Sequence, residues 1–356
     1  MFQLLLSALS GVYLFKISLL LFNDKQKALL ASLVFSIFPL TFWYVNTFSQ
    51  ECLFQCLLIF MIYHLICSTQ KSNPENLIYS AVFFSLAYLT KSHILLFALF
   101  VPFIYFHSFG LSRKAFVYAF SFAGISLLFS VPYGLYHYKK GNSYIISSNG
   151  GSYQFYLGNT EAGYKTIIDV PSKNSLDYRK LKDINVTAGY FNGSATYYDS
   201  ILALPQKVKQ QVFLNEAINW IKQNPNKFLE LKLYDVGLFL TPGFSYRHHP
   251  FRYWLISFML SFPVYVFAYL EIGRVILKDF KHHAWIFYLL LTMVLFSTIW
   301  YAQNRFRTIT LEPFYLIYAT AFFYHWIEKV PIAGRLYFLA SAFFLRTKPA
   351  LPINNL

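Results

Sequence analysis

Glu51 opens an otherwise apolar stretch, Glu51-Cys52-Leu53-Phe54-Gln55-Cys56-Leu57-Leu58-Ile59-Phe60-Met61-Ile62-Tyr63. A carboxylate at the edge of a membrane helix is costly unless it serves a site, so it is a functional candidate by default. Two polar clusters could meet it: the break Thr90-Lys91-Ser92-His93, and the basic segment Gln303-Asn304-Arg305-Phe306-Arg307. A carboxylate beside two or three cations suits a reaction whose leaving group is a lipid phosphate. Lys91, Arg305 and Arg307 would hold the phosphate, and Glu51 would act as base or as ligand to a divalent cation. Each residue also has a plainer account. An acid at a helix N-terminus is favourable in itself, and the three cations could be interfacial anchors.

The composition fixes what kind of molecule must position these groups. Of 356 residues, 56% are hydrophobic, 21% aromatic and only 13% charged. Such a chain cannot fold as water-soluble domains without exposing large apolar patches. It is expected to be a polytopic membrane protein, with membrane lipids and no nucleic acid among its partners. The three cysteines, Cys52, Cys56 and Cys67, fall in one apolar stretch and read as small core residues, not as a disulfide or metal framework. His248-His249 is a plausible pair but lacks spaced partners, so no resident metal site is assigned from sequence spacing. The sequons at Asn185 and Asn192 acquire meaning only in a cell that glycosylates them.

Apolar runs at 2–22, 28–48, 51–67, 77–89, 93–109, 116–136, 253–270, 284–301 and 309–326 give about nine membrane helices. Residues 77–109 are expected to form a hairpin of two short helices broken at Thr90-Lys91-Ser92-His93, because one long helix would bury Lys91 and His93 near mid-membrane. With that hairpin, the loops carrying Lys25 and Lys27, Lys71, Arg113 and Lys114, and Arg274, Lys278 and Lys281 share one side with the tail bearing Lys329, Arg335, Arg346 and Lys348. By the positive-inside rule that side is the cytoplasm. Glu51, Lys91 and Arg305 then lie at the opposite face, around a depression made by the short helices. The expected divisions are 1–136, membrane helices; 137–252, an extracytoplasmic insertion; 253–326, the last membrane helices; and 327–356, a cytoplasmic tail. The insertion is expected to be mixed, with strand-like pieces at 143–148 and 153–157, then helix from about 206 to 240. Its part 227–240, which carries Glu230, Lys232 and Asp235, reads as an interfacial helix. Fourteen Lys and Arg against eight Asp and Glu give 137–252 a net charge of +6, suited to an anionic lipid headgroup.

The chain resembles the polyprenyl-phosphate-sugar-dependent membrane glycosyltransferases of the GT-C fold, the group of the protein O-mannosyltransferases and the aminoarabinose transferase of lipid A. The resemblance rests on Asn46-Thr47-Phe48-Ser49-Gln50-Glu51, on Leu89-Thr90-Lys91-Ser92-His93-Ile94-Leu95-Leu96, and on Ser147-Ser148-Asn149-Gly150-Gly151 followed by Tyr156-Leu157-Gly158-Asn159-Thr160. Its last piece is Asn304-Arg305-Phe306-Arg307-Thr308-Ile309-Thr310-Leu311-Glu312-Pro313, and the shared order of the four carries it. It implies an all-α GT-C bundle in a bacterial inner membrane that moves a sugar from a polyprenyl phosphate to a lipid, glycan or protein acceptor outside. It further implies that Glu51 occupies the family's second acidic position, that Lys91 and Arg305 contact the donor phosphate, and that 137–252 covers the acceptor cleft. The family's first membrane helix and following outer loop, with its acidic residue, have no counterpart here. The expectation is therefore a chain beginning at the family's second or third helix, with an incomplete or inactive copy as one form of it. A polysaccharide polymerase or ligase of related shape, and a transporter or non-catalytic membrane protein, are the alternatives.

Overall fold

The computed structural model describes residues 2–46, 50–140, 151–165, 168, 201, 203–246, 249–301 and 303–329. They are helical throughout their ordered elements, and no strand occurs among the described residues. In chain order the helices are α1 Phe2–Phe22, α2 Lys25–Ile37, α3 Pro39–Asn46, α4 Gln50–Gln70 and α5 Pro74–Thr90. A 3₁₀ helix at Ser92–Leu99 leads into α6 Val101–Phe109, α7 Arg113–Lys139, α8 Gly151–Gly158 and α9 Glu161–Tyr164. Next come α10 Gln206–Gln223, α11 Pro225–Leu240, α12 Phe251–Ile299, α13 Asn304–Thr310 and α14 Glu312–Lys329. Five described helical segments are long and apolar enough to cross a membrane: Phe2–Phe22, Gln50–Gln70, Ser92–Phe109, Arg113–Lys139 and Phe251–Ile299. The protein is an integral membrane protein.

Short polar residues set the helix starts. Asp24 accepts the amides of Gln26 and Lys27 at 2.8 and 3.2 Å, and Asn73 accepts that of Glu75 at 2.8 Å just ahead of Pro74. α4 is the central element, packed on α1 and α5, with both Glu51 and the thiols of Cys52, Cys56 and Cys67 buried. Phe54, Leu58 and Ile62 of α4 join Leu14, Phe84, Phe97, Tyr105, Trp285 and Phe314 in one apolar core. Outside it, large apolar side chains such as Leu5, Phe120, Leu128 and Met259 stand exposed, as a lipid-facing surface requires. The described part of 137–252 has its own small cores, Tyr156 with Ile201 and Phe213, and Tyr164 with Trp220 and Leu231.

Several sequence boundaries are corrected. The run 28–48 is divided at Phe38, which is extended (φ −69°, ψ 118°) because Pro39 disfavours helical backbone before it. The run 309–326 is divided at Leu311, two residues before Pro313, whose imide nitrogen has no hydrogen to give the preceding turn. The stretch 206–240 breaks at Asn224, ahead of Pro225. The two runs 253–270 and 284–301 are, as expected, two helices: they lie on either side of a kink within α12 at Asp279, whose backbone is non-helical (φ −149°, ψ 62°). The strand-like piece 153–157 lies in α8 instead, and the piece 143–148 falls outside the described residues, as do both sequons and the tail beyond Lys329. The break at Thr90-Lys91 is found where the polar cluster placed it. Lys91 is extended (φ −144°, ψ 107°) between α5 and the 3₁₀ helix, and these two pack together.

Candidate functional site

Glu51 lies in the first turn of α4, where the helix N-terminus favours a carboxylate. The extended conformation of Lys91 turns its side chain out of the helical rows of α5 and onto α4, so that Nζ donates to Glu51 Oε1 at 2.7 Å. α13 lies against α3 and α4 and carries Arg305, whose Nη1 is 4.0 Å from the same Glu51 oxygen. Residues 40 and 254 positions away from Glu51 thus meet at one carboxylate oxygen. The pair is nearly sealed, with side chains 7% and 8% exposed, whereas Arg305 is 48% exposed and forms the accessible edge of the site. Its Nε donates to Gln303 Oε1 at 2.5 Å, and its guanidinium lies 5.3 Å from the Phe306 ring centroid. Sealed charges attract strongly, but they also lose their water, so the pair persists only while both members are present.

Arg307 is placed elsewhere. Residues 304–310 form a helix and not a loop, so side chains two positions apart diverge by about 200°. Arg307 is fully buried; it donates to the carbonyls of Leu238 at 3.0 Å and Gly243 at 2.6 Å, and also to that of Thr241. Glu312 Oε1 stands 3.5 Å from its Nε and also accepts from Tyr265 at 2.9 Å and Thr308 at 3.2 Å. Arg307 therefore closes the C-terminal end of α11 and ties α13 to α14. Its donors serve backbone carbonyls, whereas the sequence alone suggests a phosphate.

The segment that follows α12 and leads to Arg305 is held by residues of 137–252. Lys232 Nζ donates to Trp300 O at 2.7 Å, Gly158 O at 3.0 Å and Asp235 Oδ2 at 3.2 Å, and Asn159 Nδ2 donates to Ile299 O at 2.9 Å. Gly158 has to be glycine, since a Cβ there would sit 1.9 Å from Trp300 O. Lys232 and Asp235 lie on the buried face of α11, and burial lowers the lysine's pKa while Asp235 opposes the shift. Lys232→Met leaves Asp235 and two carbonyls without their cation, and is expected to cost about 3–5 kcal/mol of stability. A thermal melt in detergent checks this, with Asp235→Asn in the same background expected to recover part of the loss. Beside this lock, Glu161 accepts from Trp220 Nε1 and Lys227 Nζ, both at 3.0 Å, and these contacts pull its pKa below the usual carboxylate range.

A divalent cation held by protein side chains alone would need several oxygen donors beside Glu51. Among the described residues no group of three or more His, Cys, Asp or Glu side chains could hold one, and the lone carboxylate of the site is already engaged by Lys91. His248 lies outside the described residues, and His249 contacts Ser245 O at 3.2 Å. His93, named in the sequence as part of the break after Thr90 but given no role there, also lies at this site. It is 3% exposed in an apolar element, and an ionisable group inside a membrane segment was the available signal.

Residues 1–135 match a protein family described as dolichyl-phosphate-mannose-protein mannosyltransferase. The matched part contains Glu51 and Lys91 and ends before Arg305. No curated protein and no solved structure matches the chain.

Proposed function

We propose that the protein is a membrane glycosyltransferase that moves a sugar from a polyprenyl phosphate to a lipid, glycan or protein acceptor at the outer face of a bacterial inner membrane. The observation that carries this is the meeting of Lys91 and Arg305 on Glu51, with the similarity of residues 1–135 to a mannosyltransferase family giving the reaction class. The donor phosphate would draw Lys91 and Arg305 onto its oxygens, and the carboxylate they leave becomes free to take a proton. An acceptor hydroxyl attacks the anomeric carbon, its proton passes to Glu51, and the bond from that carbon to the phosphate oxygen breaks. The sugar is transferred with inversion, and polyprenyl phosphate departs with its charge held by the two cations. Residues 137–252 would cover the acceptor side.

The polymerase or ligase alternative calls for a larger cationic cluster in that segment. Three of its described lysines, Lys165, Lys227 and Lys232, instead face Glu161 or Asp235. The test is release of sugar from a polyprenyl-phosphate mannose by the purified protein in lipid nanodiscs. Turnover that grows with added acceptor is expected, and absence of both transfer and hydrolysis would remove the proposal. The orientation has its own check. Cysteine labelling is expected to reach positions near 50, 92 and 304 from outside and those near 24, 72, 113 and 279 only from the cytoplasm. External labelling at 113 would reverse the scheme.

A further inference from the structure

His93 occupies a place that its neighbours make unusual. Its ring centroid is 4.7 Å from that of Phe54, 4.9 Å from Phe306 and 5.6 Å from Phe296, and its Nε2 is 2.9 Å from Thr310 Oγ1. Phe54 is three residues beyond Glu51 on α4, Phe306 follows Arg305 on α13, and Thr310 ends α13. His93 itself lies two residues after Lys91. A single imidazole therefore touches both helices that bear the other two charged groups, from the turn that bears the third. A hydrocarbon ring could fill the same space between phenylalanines. Only the imidazole nitrogen adds a directional bond to Thr310, a second anchor for α13 beside the bonds of Arg307 and one that bears on where Arg305 stands over the Glu51–Lys91 pair.

We infer that His93 is a positioning residue, holding Arg305 in register with Glu51 and Lys91 through its hydrogen bond to Thr310. The inference rests on the proposed sugar transfer, since register at a phosphate site matters only if a phosphate is bound there. Arg305 is already 4.0 Å from the carboxylate, so a small rotation of α13 takes it out of reach. Misplacement of a binding group by about 1 Å can cost about 10²-fold in rate.

The experiment compares His93→Phe, Thr310→Val, their double variant and Thr310→Ser in the polyprenyl-phosphate mannose assay, with Glu51→Gln beside them. His93→Phe keeps the ring packing and loses the bond; Thr310→Val removes the partner; Thr310→Ser keeps the hydroxyl. Each of the first two is expected to lower kcat/KM by about 10–100-fold. The double variant should fall no further than the worse single one, because both remove the same bond, and Thr310→Ser should restore most of the rate. If His93→Phe stays within about twofold of wild type, or if the two losses multiply in the double variant, the ring is filler and the inference falls. If His93→Phe does not fold, Thr310→Val set against Thr310→Ser decides the matter alone: equal rates for the two overturn it. The two failures remain distinguishable. A Glu51→Gln variant as active as wild type removes the transfer mechanism, whereas loss in Glu51→Gln with full activity in both His93→Phe and Thr310→Val removes only the role of His93.

Discussion

Glu51→Gln is expected to lower sugar transfer by about 10²–10⁴-fold, the usual weight of a positioned general base. The amide has nearly the size of the carboxylate and keeps one acceptor oxygen for Lys91, which donates to Glu51 at 2.7 Å. The fold should therefore persist at reduced stability, since buried Lys91 keeps an acceptor but loses its counter-charge, and the loss of activity should appear in kcat more than in the donor's KM, since the proton is taken only as the acceptor attacks. Initial rates in nanodiscs over a range of donor concentrations separate the two. A variant that transfers sugar at the wild-type rate would show that the proton goes elsewhere, to the departing phosphate or to another acid.

Lys91→Met is expected to have the largest effect on stability within the site. It leaves a carboxylate 7% exposed, with Arg305 at 4.0 Å as the remaining cation of the trio. Removing one partner of a buried pair costs about 3–5 kcal/mol, most of it the cost of the charge left behind. Adding Glu51→Gln to Lys91→Met should therefore raise the melting temperature above that of Lys91→Met alone, although neither is expected to transfer sugar. Thermal unfolding of the single and double variants in one detergent provides the cycle. A double variant less stable than either single one would mean that the pair is held by its surroundings and not by mutual neutralisation.

Much of this architecture is legible in the sequence, for identifiable reasons. A spanning helix needs a long apolar run whatever its neighbours, so 2–22, 51–67 and 116–136 all lie within observed helices. Glu51, Lys91 and Arg305 stand out because a charge in apolar surroundings is rare and has few explanations. Apolarity alone does not reveal the divisions at Phe38 and Leu311, since it continues through them while the proline that follows interrupts the backbone bonds. The aromatic residues of 153–157 suggest a strand by propensity, but as part of α8 they pack Tyr156 against Phe213 of α10. As a loop, Arg305-Phe306-Arg307 would allow both guanidinium groups to turn to one site. Once the segment is helical, two-residue spacing sends them apart. The burial of Lys232 depends on Gly158 and Trp300, 74 and 68 residues away, and no local pattern encodes that meeting.

The central claim is that one carboxylate and a donor phosphate compete for the same two cations, and binding of a sugar-free polyprenyl phosphate to nanodisc-embedded protein tests it most directly. Loss of a hydrogen bond to a charged group is worth about 1.5–3 kcal/mol, so Arg305→Gln should weaken binding by roughly 10–100-fold. Glu51→Gln, though it no longer transfers sugar, should bind at least as tightly as wild type, because Lys91 and Arg305 are no longer shared with a carboxylate. Binding by Arg305→Gln equal to that of wild type, or binding abolished in Glu51→Gln, would contradict the account.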